Sequence, residues 1–264
     1  MMALAGCGTP AGREAHPLRL VSINPCVDAV LARVADPRSI AGISHYSQDP
    51  RATSVPLDWA RRFAATSGTA EEVVALAPDV VLTGPHVAPA TIAALKRMNI
   101  RIETFTVPDT VAESEAQVRR IAAIAGRPAA GEALAGRIAA AAAPASLAPV
   151  PALIWQGGGL VPGAGTLADE LLARAGFRNM SAAYGLKRWD VLPIEYLVAR
   201  PPRVLLSVGM TADREDRMTR HPAIRRLAPR IEIAAYPDRL INCGGPTIVD
   251  AMARLRAVRA RVAA

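Results

Sequence analysis

The chain has 264 residues, 51% of them hydrophobic, enough to bury one large core or two lobes of roughly 100 to 150 residues each and too apolar for wholesale disorder. Lys and Arg outnumber Asp and Glu by 31 to 23, for a net charge of +8 and a pI near 10.2. That balance suits nucleic acid, an anionic ligand or an acidic membrane surface. A composition that favours Arg and Ala over Lys explains the excess equally well, and no nucleic-acid motif accompanies Arg214, Arg217, Arg220, Arg225, Arg226 and Arg230. Only three Phe, three Trp and four Tyr are available for base stacking, so nucleic acid is excluded as a partner.

At the N-terminus, Leu4-Ala5-Gly6-Cys7 looks like the lipobox at which bacterial lipoproteins are cut and acylated on cysteine. Such a box needs a charged and apolar leader, and the residues ahead of it are too few, so the expectation is a start further upstream. Residues 8–17 then read as a short Pro/Gly tether behind a lipidated Cys7. No other run is long and apolar enough to cross a bilayer, which places the expected protein outside the cytoplasmic membrane, held by lipid. Cys26 and Cys243 would remain in an oxidising compartment, where they can pair. They lie in different halves, and a bond between lobes would restrict any hinge, so two buried or ligand-facing thiols are expected, with pairing left open.

Residues 18–24 read as a first strand and residues 25–34 as a turn entering an amphipathic helix. This sets Asn24-Pro25-Cys26-Val27-Asp28 at the carboxyl end of a strand, where ligands of α/β sheets bind. A second strand at residues 40–43 exits through the polar loop Ser44 to Pro50, and Trp59 and Phe63 share a helical segment. Thr69 and Glu72 have capping-box spacing, so Glu72 serves its own helix and Glu71 points outward. The strand at residues 79–83 ends in Gly84-Pro85-His86; a helix over 89–98 and a strand over 101–105 continue the βα alternation of a parallel sheet. After a helix over 109–125, residues 128–143 form an alanine-rich helix opened by proline, about 24 Å long at roughly 1.5 Å per residue, which reads as a strut.

The second half opens with a strand at residues 152–155 and a glycine-rich exit loop, Gln156 to Thr166. A phosphate-cradling loop wants Gly-Lys where Ala164-Gly165 stand. A helix over 167–175, a long partly aromatic connection over 179–192 carrying Tyr184 and Trp189, a strand at 231–235 and a final helix from Thr247 complete the chain. One stretch organises the whole. EEVVALAPDVVL at residues 71–82 returns as EYLVARPPRVLL at residues 195–206, agreeing at Glu71/Glu195, Val74/Val198, Ala75/Ala199, Pro78/Pro202, Val80/Val204 and Leu82/Leu206. Each copy is a short helix stopped by proline and followed by a buried-strand run. The period is far too long for a solenoid and fits two similar α/β lobes in series.

Taken in order, these motifs resemble the periplasmic substrate-binding proteins of bacterial ABC importers, in the class (class III) that includes cobalamin- and ferric-siderophore-binding proteins. The carriers are Ser22 to Asp28, Gly42 to Pro50, Glu71 to Leu82, Gly165 to Leu172 with Gly176 to Asn179, and Trp189 to Leu206. The resemblance implies two Rossmann-like α/β lobes, residues 18–126 and 150–264, joined by one long helix within residues 127–149, with a ligand cleft between them and residues 1–17 as signal remnant and tether. It implies a monomeric, non-enzymatic receptor that hands a metal chelate, a corrinoid such as cobalamin or a ferric siderophore, to a permease dimer with its ATPase subunits. No cofactor of its own is implied; the ligand carries Co or Fe. In similar proteins one Glu on each lobe pairs with permease arginines, and Glu71 and Glu195 match those positions. Acids that merely stabilise a first turn, at about 0.3 to 1 kcal/mol each, would look the same.

Candidate ligand-binding residues from cleft-facing loops are Cys26, His45, Tyr46, His86, Trp155, Tyr184, Trp189 and Cys243. Aromatic faces suit a flat chelate, burying apolar area at about 25 cal/mol per Å²; for Trp155 and Trp189 plain core packing is the competing role. Such side chains serve corrinoids, siderophores and heme equally well. A second reading is a receptor for bare Zn or Mn through His45 and His86, which would need further ligands where the second lobe offers only His221. A third is a two-lobed enzyme holding a cofactor at Gly157, against which stand the missing Lys and the absence of a nucleophile–base pair.

Overall fold

Short aliphatic runs, each followed by a proline-, threonine- or asparagine-capped helix, build two parallel sheets. The computed structural model describes residues 18–209 and 221–262, so Cys7 with its tether, and Arg214, Arg217 and Arg220, lie outside the described residues. The first half runs β1 (Leu20–Ser22), α1 (Pro25–Val34), β2 (Ile40–Ser44), α2 (Leu57–Ala60), β3 (Ala64–Thr66), α3 (Ala70–Ala75), β4 (Val80–Thr83), α4 (Pro89–Arg97), β5 (Arg101–Thr104) and α5 (Val111–Ile124). Then α6 (Pro128–Ala141) leads to the second half. This consists of β6 (Val150–Trp155), β7 (Leu160–Pro162), α7 (Leu167–Arg174), β8 (Phe177–Asn179), β9 (Trp189–Val191), α8 (Ile194–Ala199), β10 (Val204–Val208), α9 (Pro222–Leu227), β11 (Glu232–Tyr236), α10 (Arg239–Asn242) and α11 (Thr247–Arg261).

The first sheet has the order β3-β2-β1-β4-β5 and the second β11-β10-β6-β8, with every neighbouring pair parallel. Read outward from the first strand of each half, β2-β1-β4-β5 and β8-β6-β10-β11 are the same arrangement, and β3 is an extra edge strand on the first. The repeated stretch falls on equivalent places: α3 feeds β4, which lies beside β1, and α8 feeds β10, which lies beside β6. Every residue of β4 and β10 is buried, as parallel strands covered by helices on both faces must be. The two-lobed α/β expectation therefore holds at the level of strand order.

The connecting helix is not a free strut. Gly131, Leu134, Ala135 and Ile138 of α6 are buried, and α6 packs on α5, α1 and α11. A Cβ on Gly131 would sit 2.5 Å from that of Ala122, so the glycine lets α5 and α6 approach closely, a gain that offsets its weak helix propensity. One buried cluster, including Leu20, Val30, Val118, Leu134, Ile138, Leu172 and Val258, runs through both halves.

Two segments expected as loops carry short strands. Leu160–Pro162 and Trp189–Val191 pair antiparallel, Pro162 opposite Trp189, as a ribbon beside the second sheet. Proline is tolerated in such an edge pairing, and three residues carry too little alternation to read. The helix at Trp59 ends at Ala60, so Phe63 lies beyond it, although the two rings still meet, tilted, with centroids 4.8 Å apart.

Candidate functional site

Parallel pairing brings the exits of β1 to β4 to one edge of the first sheet. There Asn24 caps α1 by accepting from the Cys26 amide at 2.9 Å, while its amide group reaches the carbonyls of Thr83 and Phe105 at 3.4 and 3.5 Å. One side chain thus ties together three strand exits. Glu72 does the same for β3: it accepts from the Ser67 amide at 2.6 Å, the Ser67 hydroxyl at 2.8 Å and the Thr66 hydroxyl at 2.9 Å. Those bonds, the Ser67 hydroxyl foremost, hold its carboxyl below the usual range. The expected capping box is therefore half formed, since Thr69 accepts from the Glu72 amide but Glu72 serves the preceding loop. Glu71 is left exposed.

Above this edge lies a cavity of about 810 Å³, within the size range of small-molecule sites. Its walls come from the strand exits, from α1, α3, α4 and α5, and from Asn242, Gly244 and Gly245 of the second half. Cys26, His45, Tyr46, His86 and Glu71 all border it. The rings of His45 and Tyr46 lie against each other, tilted, with centroids 4.0 Å apart, and Tyr46 is 52% exposed. His45 Nδ1 lies 3.2 Å from the Thr66 carbonyl. A carbonyl can only accept, so Nδ1 donates to it and Nε2 is the ring nitrogen left to face a ligand.

A smaller cavity, about 370 Å³, marks the matching edge of the second sheet, bordered by Trp155, the Gly157–Gly159 turn, Leu192 to Ile194 and His221. Trp155 is 4% exposed and belongs chiefly to the core of its half, although it borders this cavity. Tyr184 and Trp189 line neither cavity. The Tyr184 hydroxyl donates to the Arg200 carbonyl at 2.6 Å, and burial pushes its pKa up to about 12. Trp189 stands exposed on β9.

Cys26 and Cys243 are bonded to each other, with Cα atoms 5.2 Å apart across 217 residues of sequence. The expectation of two free thiols is corrected. It failed because α11 returns along α6 and carries the loop before it onto the N-terminus of α1, a juxtaposition that spacing does not reveal. Three further ties join the halves: the Gly245 amide donates to Ser114 Oγ at 2.6 Å, the Val111 amide to Glu170 at 2.7 Å, and Arg188 pairs with Asp109.

Asp28, expected in the exit loop of β1, lies instead inside α1. It is fully buried on α1; Oδ2 accepts from the Ser44 amide at 3.0 Å and the Ser47 hydroxyl at 2.6 Å, and Oδ1 has no partner. Burial pushes its pKa up to about 7 against the opposing influence of Ser22, Ser47 and Ser44. Its position beneath the β2 exit makes it the anchor of the turn that presents His45 and Tyr46.

A family model described as periplasmic binding protein matches residues 20–229. The chain belongs to that family. Among solved structures, this binding protein is similar to the periplasmic heme-binding protein RhuT from Roseiflexus sp. RS-1, with TM-score 0.70, 21% identity, and coverage of 92% of this chain and 99% of that one. HutB, a periplasmic heme-binding protein of Vibrio cholerae, gives 0.74 and 17%, covering 92% and 98%. The vitamin B12 binding protein BtuF of the same species gives 0.71 and 15%, covering 93% and 97%. At these identities the likeness is one of fold. No curated protein matches the sequence closely enough to count as a relative. Among the described residues, no helix of the binding protein is long and apolar enough to cross a membrane.

Proposed function

We propose that this binding protein is the receptor of an ABC importer that captures a flat metal chelate, an iron porphyrin before a corrinoid or ferric siderophore, and passes it to a membrane permease. The observation that carries this reading is the adjoining His45–Tyr46 ring pair on the wall of the large cavity, with an exposed phenol and an imidazole nitrogen facing away from its carbonyl partner. Tyr and His are both known axial partners of porphyrin iron. The heme named for RhuT and HutB supports this order, and the vitamin B12 named for BtuF keeps corrinoids as the second reading. Glu71 and Glu195, both exposed on the first turns of α3 and α8, then serve as the two acids that meet the permease. Acylation of Cys7 would hold the monomer to the membrane outside the cytoplasm, and no catalytic step is required of it.

A bare-cation receptor is less well supported: among the described residues, no group of three or more His, Cys, Asp or Glu side chains could hold a metal ion. Titration with ferric protoporphyrin, cobalamin and a panel of ferric siderophores tests the proposal. Ferric protoporphyrin should bind with a tyrosinate-type absorption band. Tyr46→Phe should abolish that band and weaken binding roughly 10- to 100-fold or more, since even outer partners of metal ligands are worth that much. Binding of cobalamin alone would transfer the site to the second reading, and no response to any chelate would remove the class.

A further inference from the structure

The two bonded cysteines are placed differently with respect to the large cavity. Cys26, the second residue of α1, is half-buried and borders it, whereas Cys243 is 6% exposed and does not, although its neighbours Asn242, Gly244 and Gly245 do. A thiol entering the cavity therefore meets the Cys26 sulfur first.

Both sulfurs also have polar neighbours that a permanently oxidised pair does not need. The Ser54 hydroxyl donates to Cys243 Sγ at 3.9 Å, and the Asn242 carbonyl oxygen stands 3.5 Å from Cys26 Sγ, where it can accept from a thiol but gains nothing from a disulfide sulfur. The N-terminus of α1 favours negative charge on Cys26 during exchange. Partners that suit thiol and thiolate stabilise the reduced pair, and a disulfide whose reduced form is stabilised is the more easily reduced.

What the bond holds in place is a wall of the cavity. A Cβ on Gly244 would lie 2.6 Å from Pro108 Cγ and 2.8 Å from Ser114 Oγ, and the Gly245 amide donates to Ser114 Oγ at 2.6 Å. With the S–S bond broken, that hydrogen bond and this close packing are what keep the loop of the second half against the first.

We infer that the Cys26–Cys243 bond is a reducible clasp: a dithiol donor admitted through the cavity opens it, frees the Asn242–Gly245 loop from the wall of the site and weakens the hold on a bound molecule. The donor's thiolate attacks Cys26 Sγ, the S–S bond breaks, and the electron pair leaves on Cys243 Sγ, which takes up a proton. The donor's second thiolate then displaces Cys26 Sγ, which takes up another, and the donor departs as a disulfide. Two electrons and two protons thus pass to the protein. The metal-chelate reading enters only through the choice of probe.

The test incubates the folded, oxidised full chain without denaturant in glutathione buffers of graded ratio, then traps free thiols by alkylation and locates them by mass spectrometry. Cys26 and Cys243 should become alkylated together in buffers that leave ordinary structural disulfides intact, with glutathione attached to Cys26 in the trapped intermediate. Ser54 borders neither cavity, so Ser54→Ala leaves the site intact, yet it should shift the exchange equilibrium toward the disulfide by roughly threefold, the worth of one weak hydrogen bond. Ferric protoporphyrin should leave the reduced protein at least roughly tenfold faster than the oxidised one, since a loosened wall acts on dissociation. A bond that yields to glutathione only after unfolding, or equal or slower dissociation from the reduced form, would overturn the clasp. If ferric protoporphyrin binds neither form, the chelate reading falls, and the clasp stands or falls on the glutathione equilibrium and its response to Ser54→Ala.

Discussion

The two halves share one strand order and yet present different edges to the cleft. On the first, four strand exits converge on a cavity of about 810 Å³ bordered by two histidines, a tyrosine and an acid; on the second, the equivalent edge is closed by a glycine turn and Trp155 around about 370 Å³. Topology is therefore duplicated while chemistry is not. A sheet edge becomes a site through its exit loops, and here one half carries the polar chemistry while the other supplies a lid and ties.

The acids Glu71 and Glu195 are where the halves stay alike, and they give the largest expected effect. Each is exposed on the first turn of the helix that feeds the equivalent strand, Glu71 beside the larger cavity and Glu195 next to the Pro193–Ile194 wall of the smaller one. Reversing both, Glu71→Lys with Glu195→Lys, should abolish uptake in a reconstituted importer while chelate affinity moves less than about threefold. If affinity collapses instead, Glu71 belongs to the cavity and the symmetry of the two acids is coincidental.

The bond between Cys26 and Cys243 couples the unlike edges. It closes a loop of 217 residues, for which chain entropy gives roughly 5 kcal/mol of stability. Reduction, or Cys26→Ser with Cys243→Ser, should lower the midpoint of thermal unfolding by several degrees and increase hydrogen exchange at the start of α1 and in the Asn242–Gly245 loop. Exchange left unchanged there would mean that α6 packing and the Ser114–Gly245 contact hold the halves without it.

Much of this was legible in the amino-acid order. Proline and asparagine mark the start of α1, the buried runs of β4 and β10 stand out, and the repeat announces the duplicated lobe. His45, Tyr46 and His86 could be assigned to strand exits because a polar residue directly after an aliphatic run has little other place in a parallel sheet. What was hidden depends on distant packing. Cys243 meets Cys26 only because α11 retraces α6. Val118 and Ile121 read as an ordinary helix face, yet they also border the cavity. The alanine-rich α6 looked like a strut because small residues give no sign of which neighbours they will touch.

Asp28 sharpens the contrast between halves at a single position. It is the fourth residue of α1, and the fourth residue of α7 is Glu170. Glu170 reaches across to the Val111 amide and pairs with Arg174, whereas Asp28 is sealed within its own half with one oxygen unpartnered. Burial raises the Asp28 pKa from the ordinary carboxylate range to about 7. The folded protein therefore holds a proton there that the unfolded chain releases between about pH 4 and 7. The stability this gives is fully present below about pH 4 and is lost as pH rises through about 7, by at most about 4 kcal/mol. Asp28→Asn keeps the shape and an acceptor for the Ser44 amide but cannot ionise. Its stability should vary less over pH 4 to 7 than that of the parent, with the two curves diverging most at the alkaline end. If parent and variant show parallel pH profiles in chemical denaturation, Asp28 is ionised throughout and the turn carrying His45 and Tyr46 rests on a buried anion.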